Sequence, residues 1–398
     1  MDITIYPTKL MGSVKVIPSK SQAHRLLICA AFSDRPTKLL CWDTNQDIEA
    51  TVGCLNTIGA QIKKTEVGYD VIPVQSIPKS AHIDCRESGS TLRFILPIVC
   101  ALGIETDIQM SGRLPYRPLS PMWEELERMG CKLTKPTDTT IQTFGKLRSG
   151  TYTIAGNISS QYITGLLFAL SLTDGESKIN ITGNLESRPY VEMTQRALSQ
   201  FGVNTDGFRV RGSFPFSSPG CVDVEGDWSN GAFFLVANAL GNEIYVSNLD
   251  RDSSQGDRVI AEILAKKEAG TIINATDFPD LVPILAVYFA AKGGATFTGI
   301  SRLRLKESDR IASVSNLLHN LGIQTVSDKD TLTVHGGKFH GGTIDACADH
   351  RIAMAAGIAA TVAAGPVTIL GADCVAKSYP SFWQEYTNLG GNYEQYIR

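Results

Sequence analysis

Residues 18–32 read PSKSQAHRLLICAAF: a short polar opening, Ser19-Lys20-Ser21, followed by a run with almost no polar side. Serine ahead of an apolar run is an N-cap signal, because its hydroxyl accepts from the first free backbone N–H groups of a helix. A helix this apolar all round has to be buried on most sides. The same plan returns at Ser88-Gly89-Ser90, Ser159-Ser160-Gln161, Asp227-Trp228-Ser229, Pro279-Asp280 and Asp349-His350. The bodies that follow are TLRFILPIVCAL, YITGLLFALSL, NGAFFLVANAL, LVPILAVYFAA and RIAMAAGIAATVAA. Successive openings lie about 70 residues apart, with one interval of about 50, which predicts a six-fold repeat.

Amphipathic helices ending near glycine lie between these runs: Asp47 to Gly59, Met122 to Gly130, Val191 to Gly202, Arg258 to the Ala269-Gly270 pair, and Arg310 to Gly322. Short strand-like runs follow them, such as CKLTKP, VNTDGFRVRG and IQTVSDKDTLTVHG. Each unit reads as strand, helix, strand, helix, strands, and six of them divide into two α/β domains of three. The boundary falls near Gly220–Glu225, with no Pro/Ser-rich linker to mark it.

At 398 residues the chain is long enough for two or three domains. A 43% hydrophobic and 19% charged composition excludes wholesale disorder. The net charge of −3 argues against coating nucleic acid or anionic membrane by bulk charge. Nine cysteines (29, 41, 54, 85, 100, 131, 221, 347, 374) contain no CxxC pair, which predicts free thiols in a reducing cytoplasm. The six histidines (24, 82, 319, 335, 340, 350) show no metal-ligand spacing. The N-terminus MDITIYPTKL carries no signal-peptide pattern. The uncharged run Ile352–Leu370 is broken by Gly365-Pro366 and predicts a buried helix followed by a strand.

The six openings also concentrate unusual polar groups: Lys20, Ser21 and Arg25; Ser159, Ser160 and Gln161; Asp280; His350 and Arg351. A helix N-terminus presents free N–H groups and a partial positive charge, so it is a natural anion site. Ordinary capping explains any one opening, but not several that each add cationic or hydroxyl side chains. The densest charged stretch is RLRLKESDR, residues 302–310, which taken alone reads as a solvated helix start with local ion pairs.

Taken in order, PSKSQAHR, ESGSTLRF, the RP of LPYRP, SSQY, SRPYVEMT, VEGDWS, PDLVPILAV, LRLKESDRI, DHRIAMA and VAKSYPSFW resemble the motifs of the 5-enolpyruvylshikimate-3-phosphate synthases. They span residues 18–383. The resemblance implies two domains of three βαβαββ units, residues 18–223 and residues 1–17 plus 224–398, with the active site in the cleft between them. It implies transfer of the enolpyruvyl group of phosphoenolpyruvate to the 5-hydroxyl of shikimate 3-phosphate, releasing phosphate, in a cytoplasmic and glyphosate-sensitive monomer. No cofactor and no metal are implied.

Position by position, the resemblance assigns shikimate 3-phosphate to Lys20, Ser21, Arg25, Ser159, Ser160, Gln161, Ser187, Asp280 and Lys306, with Tyr190 beside the ring. It assigns phosphoenolpyruvate to Lys20, Gly89, Arg117, Gln161, Arg310, Arg351 and Lys377. Asp280 matches the proton acceptor at the hydroxyl, Glu307 the proton donor to C3, and Lys20 a donor to the departing phosphate. The charges agree, since two substrates each bearing a phosphate and a carboxylate need concentrated cations, for which Arg93 is a further candidate. The chain departs from the pattern at Glu87, where many members have Asn, in the loop before Arg117, and at Arg302.

Other classes fare worse. The UDP-N-acetylglucosamine enolpyruvyl transferases place a cysteine on the loop matching QMSGRLPYRP, which has none. The P-loop pattern GxxxxGK[ST] is absent. A non-catalytic anion-binding repeat protein has no need of the retained acid–base residues, and turnover with phosphate release separates it from an enzyme.

Overall fold

A computed structural model describes residues 1–212, 214–266 and 270–396. Two compact units divide the chain: a continuous one, Pro18–Val224, and a discontinuous one made of Met1–Ile17 and Glu225–Arg398.

The continuous unit holds helices α1 (Lys20–Ala31), α2 (Gln46–Thr57), α3 (Gly89–Leu102), α4 (Met122–Arg128), α5 (Ser160–Ser171) and α6 (Arg188–Gln200). Ser19, Ser88 and Ser159 cap α1, α3 and α5 through their hydroxyls. These three helices are buried almost throughout, as their apolar bodies require. Three four-stranded sheets surround them, and all share one order. In the middle repeat, Ser80–Asp84 runs parallel to Glu105–Gln109, and the hairpin Cys131–Thr137/Thr140–Gly145 adds antiparallel to it.

One packing detail brings α3 and α5 together. Pro97 lies inside α3 and cannot donate to the Arg93 carbonyl one turn back. Gly165 of α5 closes on that carbonyl, and an added Cβ there would meet it at 2.1 Å. A glycine is therefore required for α3 and α5 to approach this closely.

The discontinuous unit holds α7 (Trp228–Ala239), α8 (Ile260–Lys266), α9 (Val282–Ala291), α10 (Arg310–Asn320), α11 (His350–Ala360) and α12 (Phe382–Asn388). Its first strand, Asp2–Tyr6, lies between Val367–Leu370 and Asn392–Tyr396, so the start of the chain completes the last repeat. The repeat begun by Met11–Lys15 and Glu243–Ser247 has only this parallel pair among the described residues. The shortened interval of about 50 residues falls on this repeat, because only four residues separate Lys266 from Thr271 and no hairpin fits there.

Several boundaries differ from the sequence reading. The helix expected from Val191 begins at Arg188, because Pro189 is pre-set for a first helical turn. The helix expected from Arg258 starts as a 3-10 turn at Gly256–Val259 and continues as α8, and its expected end at Ala269 lies outside the described residues. The Pro279-Asp280 opening is a 3-10 turn without a side-chain cap, so Asp280 is not the N-cap that its position suggests.

Candidate functional site

In the continuous unit, Arg25 and Arg93 donate to hydroxyls, an amide oxygen and backbone carbonyls. Arg25, 2% exposed, donates from Nε to Thr194 Oγ1 (2.8 Å), from Nη1 to the Ser21 carbonyl (2.5 Å), and from Nη2 to the Tyr190 carbonyl (2.9 Å) and Thr164 Oγ1 (3.4 Å). It also lies over the Phe94 ring. Burial lowers its pKa to about 10, still well above neutrality. One of its five N–H donors is left for a ligand, fewer than its place in the sequence motif suggests. Arg93 donates to the Gly89 carbonyl (3.3 Å), to Gln161 Oε1 (3.2 Å) and to the Pro118 carbonyl (3.1 Å). Gln161 in turn donates to Ser90 Oγ at 2.9 Å, which links the openings of α3 and α5.

Gly89 is the first residue of α3, and a Cβ there would lie 2.6 Å from Arg93 Nη1 and 2.7 Å from Arg117 Nη1. The missing side chain lets two guanidinium groups converge on one helix N-terminus. Lys20 forms an ion pair with Asp47 at 2.9 Å. Ser159 and Ser160 are the cap and first residue of α5. Ser187 precedes α6 in a left-handed conformation (φ 53°) and is buried. Arg86, Cys347 and Ala348 share that conformation in the loops ahead of α3 and α11. Non-glycine residues there cost on the order of 1–3 kcal/mol each, and such strain gathers at functional sites. The Glu87 carboxylate occupies the space a side chain at Gly112 would need, so it packs on the loop leading to Arg117.

In the discontinuous unit the cations face carboxylates. Asp280 accepts from Arg310 Nη1 at 2.6 Å and from Arg351 Nη2 at 3.2 Å, with Lys306 Nζ at 3.5 Å. Arg310 also reaches Glu307 Oε2 (2.7 Å) and Asp349 Oδ2 (2.8 Å), and its side chain is 2% exposed. The charged stretch 302–310 is thus partly a buried network rather than a solvated helix start. Only the Arg304–Asp309 pair matches the solvated picture. Arg302 donates to the Thr276 carbonyl at 3.0 Å. Lys377, at the end of the 3-10 segment Ala372–Lys377, and His350, first in α11, are both buried.

Burial alone would raise the pKa of Asp280, yet Arg351, Lys306 and Arg310 together hold it well below the usual carboxylate range. Burial pushes Lys306 down to about 8, against the support of Asp280. Buried Asp257 is pushed up to about 6, first by burial and then by the charge of Asp280. Asp47, Asp349 and Asp257 escaped the sequence reading of the site. Asp349 was visible only as a helix cap, though it also accepts from Ser308 and from the Arg351 backbone N–H.

Comparison with known proteins identifies the family. The family model for EPSP synthase (3-phosphoshikimate 1-carboxyvinyltransferase) matches residues 5–278 and 265–386. A 3-phosphoshikimate 1-carboxyvinyltransferase of Clostridium kluyveri is 38% identical, over 99% of this chain and 98% of its own. One of Clostridium perfringens is 39% identical, over 98% of each. Among solved structures, EPSP synthase from Acinetobacter baumannii superposes with a TM-score of 0.81 over 100% of both chains at 22% identity. The enolpyruvyl transferase NikO of Streptomyces tendae gives 0.77 at 16% identity, covering 99% of this chain and 98% of its own. At such identities the structures speak for the fold, and the family model and the clostridial relatives for the chemistry. The chain belongs to the EPSP synthase family and transfers the enolpyruvyl group of phosphoenolpyruvate to shikimate 3-phosphate.

Proposed function

We propose that both units contribute substrate ligands and that the discontinuous unit supplies the acid–base pair, Asp280 and Glu307. On this reading shikimate 3-phosphate is bound by Lys20, Ser21, Arg25, Ser159, Ser160, Gln161, Ser187, Asp280 and Lys306. Phosphoenolpyruvate is bound by Lys20, Gly89, Arg117, Gln161, Arg310, Arg351 and Lys377. Arginine suits these anions because its planar fork donates two parallel hydrogen bonds to a phosphate or carboxylate.

The observation that carries the reading is the Asp280 carboxylate set among Arg310, Arg351 and Lys306. A carboxylate stabilised by three cations is a weak base. Incoming phosphate and carboxylate groups compete for Arg310 and Arg351 and so withdraw their charge from Asp280. Its basicity then rises as the 5-hydroxyl must give up a proton to attack C2 of phosphoenolpyruvate. Substrate binding arms the base.

Glu307, oriented by Arg310 and carrying a proton in the substrate complex, delivers the proton that C3 gains in the same step. The Glu307 carboxylate then takes a proton back from C3 as the tetrahedral intermediate expels phosphate, which Lys20 protonates. No described helix is long and apolar enough to cross a membrane, and one chain supplies every assigned residue. The test is phosphate release from phosphoenolpyruvate with and without shikimate 3-phosphate: release only with both present is expected. Release with phosphoenolpyruvate alone contradicts attack by the shikimate hydroxyl.

A further inference from the structure

The N-terminus of α3 is tied to α1 and α2 by a buried line of hydrogen bonds that the reaction itself does not use. His24 Nδ1 lies 2.7 Å from Thr51 Oγ1, Thr51 Oγ1 lies 2.7 Å from Thr91 Oγ1, and Thr91 Oγ1 donates to Ser88 Oγ at 2.7 Å. All four residues are between 0% and 1% exposed.

The direction of the line follows from counting protons. A hydroxyl has one proton, and both acceptors of the Thr91 hydroxyl, Ser88 Oγ and the Asp47 carbonyl at 3.4 Å, lie away from Thr51. Thr51 must therefore donate to Thr91, and His24 must donate to Thr51 from Nδ1–H. His24 is then the neutral Nδ1–H tautomer, which leaves Nε2 a bare acceptor, and Nε2 is indeed buried without a hydrogen-bond partner. Burial, which lowers the His24 pKa to about 3, keeps it neutral.

We infer that His24 and Thr51 are positioning residues for phosphoenolpyruvate, acting through Thr91 on the Ser88 cap that precedes Gly89. Ser88 Oγ caps the Thr91 backbone N–H, so its orientation fixes the first turn of α3 and with it the Gly89 surface on which Arg93 and Arg117 converge. One helical turn from His24 and Thr51, Lys20 and Asp47 form an ion pair on the same two helices, so the line also fixes α1 against α2. Ser159, Ser160 and Ser187 open α5 and α6, outside the line. Arg25 is held by Thr164, Thr194 and Tyr190 instead. Of the shikimate 3-phosphate ligands, Lys20 and Ser21 lie on α1 while the line ends at the cap before Gly89, so the larger effect falls on phosphoenolpyruvate, an inference that rests on the ligand assignment proposed above.

The test measures KM for phosphoenolpyruvate at saturating shikimate 3-phosphate, and Kd for shikimate 3-phosphate alone by calorimetry. Thr51→Val keeps shape and removes the hydroxyl, and His24→Leu removes the donor. Each should raise KM for phosphoenolpyruvate about tenfold, as loss of one buried hydrogen bond implies, and leave the shikimate 3-phosphate Kd within about twofold. His24→Asn sets an amide N–H where Nδ1–H was and should recover KM to within about threefold of the parent. An unchanged KM in Thr51→Val, a parallel weakening of shikimate 3-phosphate, or failure of His24→Asn to recover overturns the inference. If His24→Leu does not fold, Thr51→Val decides. Arg117→Ala separates the two readings. If it leaves KM for phosphoenolpyruvate unchanged, the ligand assignment falls and the inference with it. If it raises KM while Thr51→Val does not, the inference falls alone.

Discussion

The openings of the two units use the same helix geometry with opposite partners. At α1, α3 and α5, Arg25 and Arg93 donate to hydroxyls, an amide oxygen and backbone carbonyls, and Lys20 pairs with Asp47. At α10 and α11, Arg310 and Arg351 are fastened by the carboxylates of Asp280, Glu307 and Asp349. A cation on neutral partners keeps its full charge for an incoming anion. A cation on a carboxylate is half of a group that can exchange a proton once an anion arrives. The discontinuous unit therefore carries the proposed acid–base pair, and Lys20, assigned both to binding and to protonating phosphate, is itself paired with the carboxylate of Asp47.

Asp280→Asn should break the contrast most severely. It removes the base, so kcat should fall about 10²–10⁴-fold. It also removes a negative charge from among three cations, so both substrates should bind as tightly as before or more tightly, measurable by calorimetry. Weaker binding with intact kcat makes Asp280 a ligand only.

Arg310→Ala comes next. It strands buried carboxylates and should cost about 3–5 kcal/mol of stability, read from denaturant unfolding. Arg117, half-buried and on a loop, should cost far less when truncated while still raising KM for phosphoenolpyruvate.

Gly89→Ala should raise KM for phosphoenolpyruvate several-fold, about 1 kcal/mol, because the methyl displaces the ends of Arg93 and Arg117. Glyphosate, longer than phosphoenolpyruvate, should lose more affinity than the substrate does. An inhibition constant unchanged by the substitution removes Gly89 from that surface.

The smallest effect is one of pH. Lys306, lowered to about 8, loses its charge as pH rises through that value, and affinity for shikimate 3-phosphate should decline with it. Stability moves the other way. Between about pH 8 and the ordinary lysine range the folded chain binds fewer protons than the unfolded chain, so this group's contribution to stability increases with pH. Binding that is flat from pH 7 to 9.5 contradicts the placement of Lys306 beside this ligand.

Much of this was legible in the sequence because it is local. Ser19, Ser88, Ser159, Asp227 and Asp349 announce their helices as caps, and five of the six openings are capped by the residue that the spacing indicates. The short interval after Asp227 falls on the repeat that has only a parallel strand pair among the described residues, though spacing alone does not say which elements differ. What was hidden is long-range. Arg25 looks like a free phosphate ligand until α5 and α6 supply Thr164 and Thr194 from more than a hundred residues away. Asp280 looks like a cap until Arg310 and Arg351 take its carboxylate. Partners of buried charge are set by tertiary packing, which no periodicity encodes.

The placement of the acid–base pair in the discontinuous unit is tested most directly by comparing Glu307→Gln with Arg117→Ala in single turnovers run in deuterium oxide, at saturating concentrations of both substrates. The account predicts that Arg117→Ala reaches nearly the parent rate once saturated and incorporates deuterium into the product methylene. It predicts that Glu307→Gln binds both substrates normally, yet loses about two orders of magnitude or more in rate together with the deuterium label. Normal rate and label in Glu307→Gln, with both lost in saturated Arg117→Ala, would place the proton chemistry in the wrong unit and contradict the account.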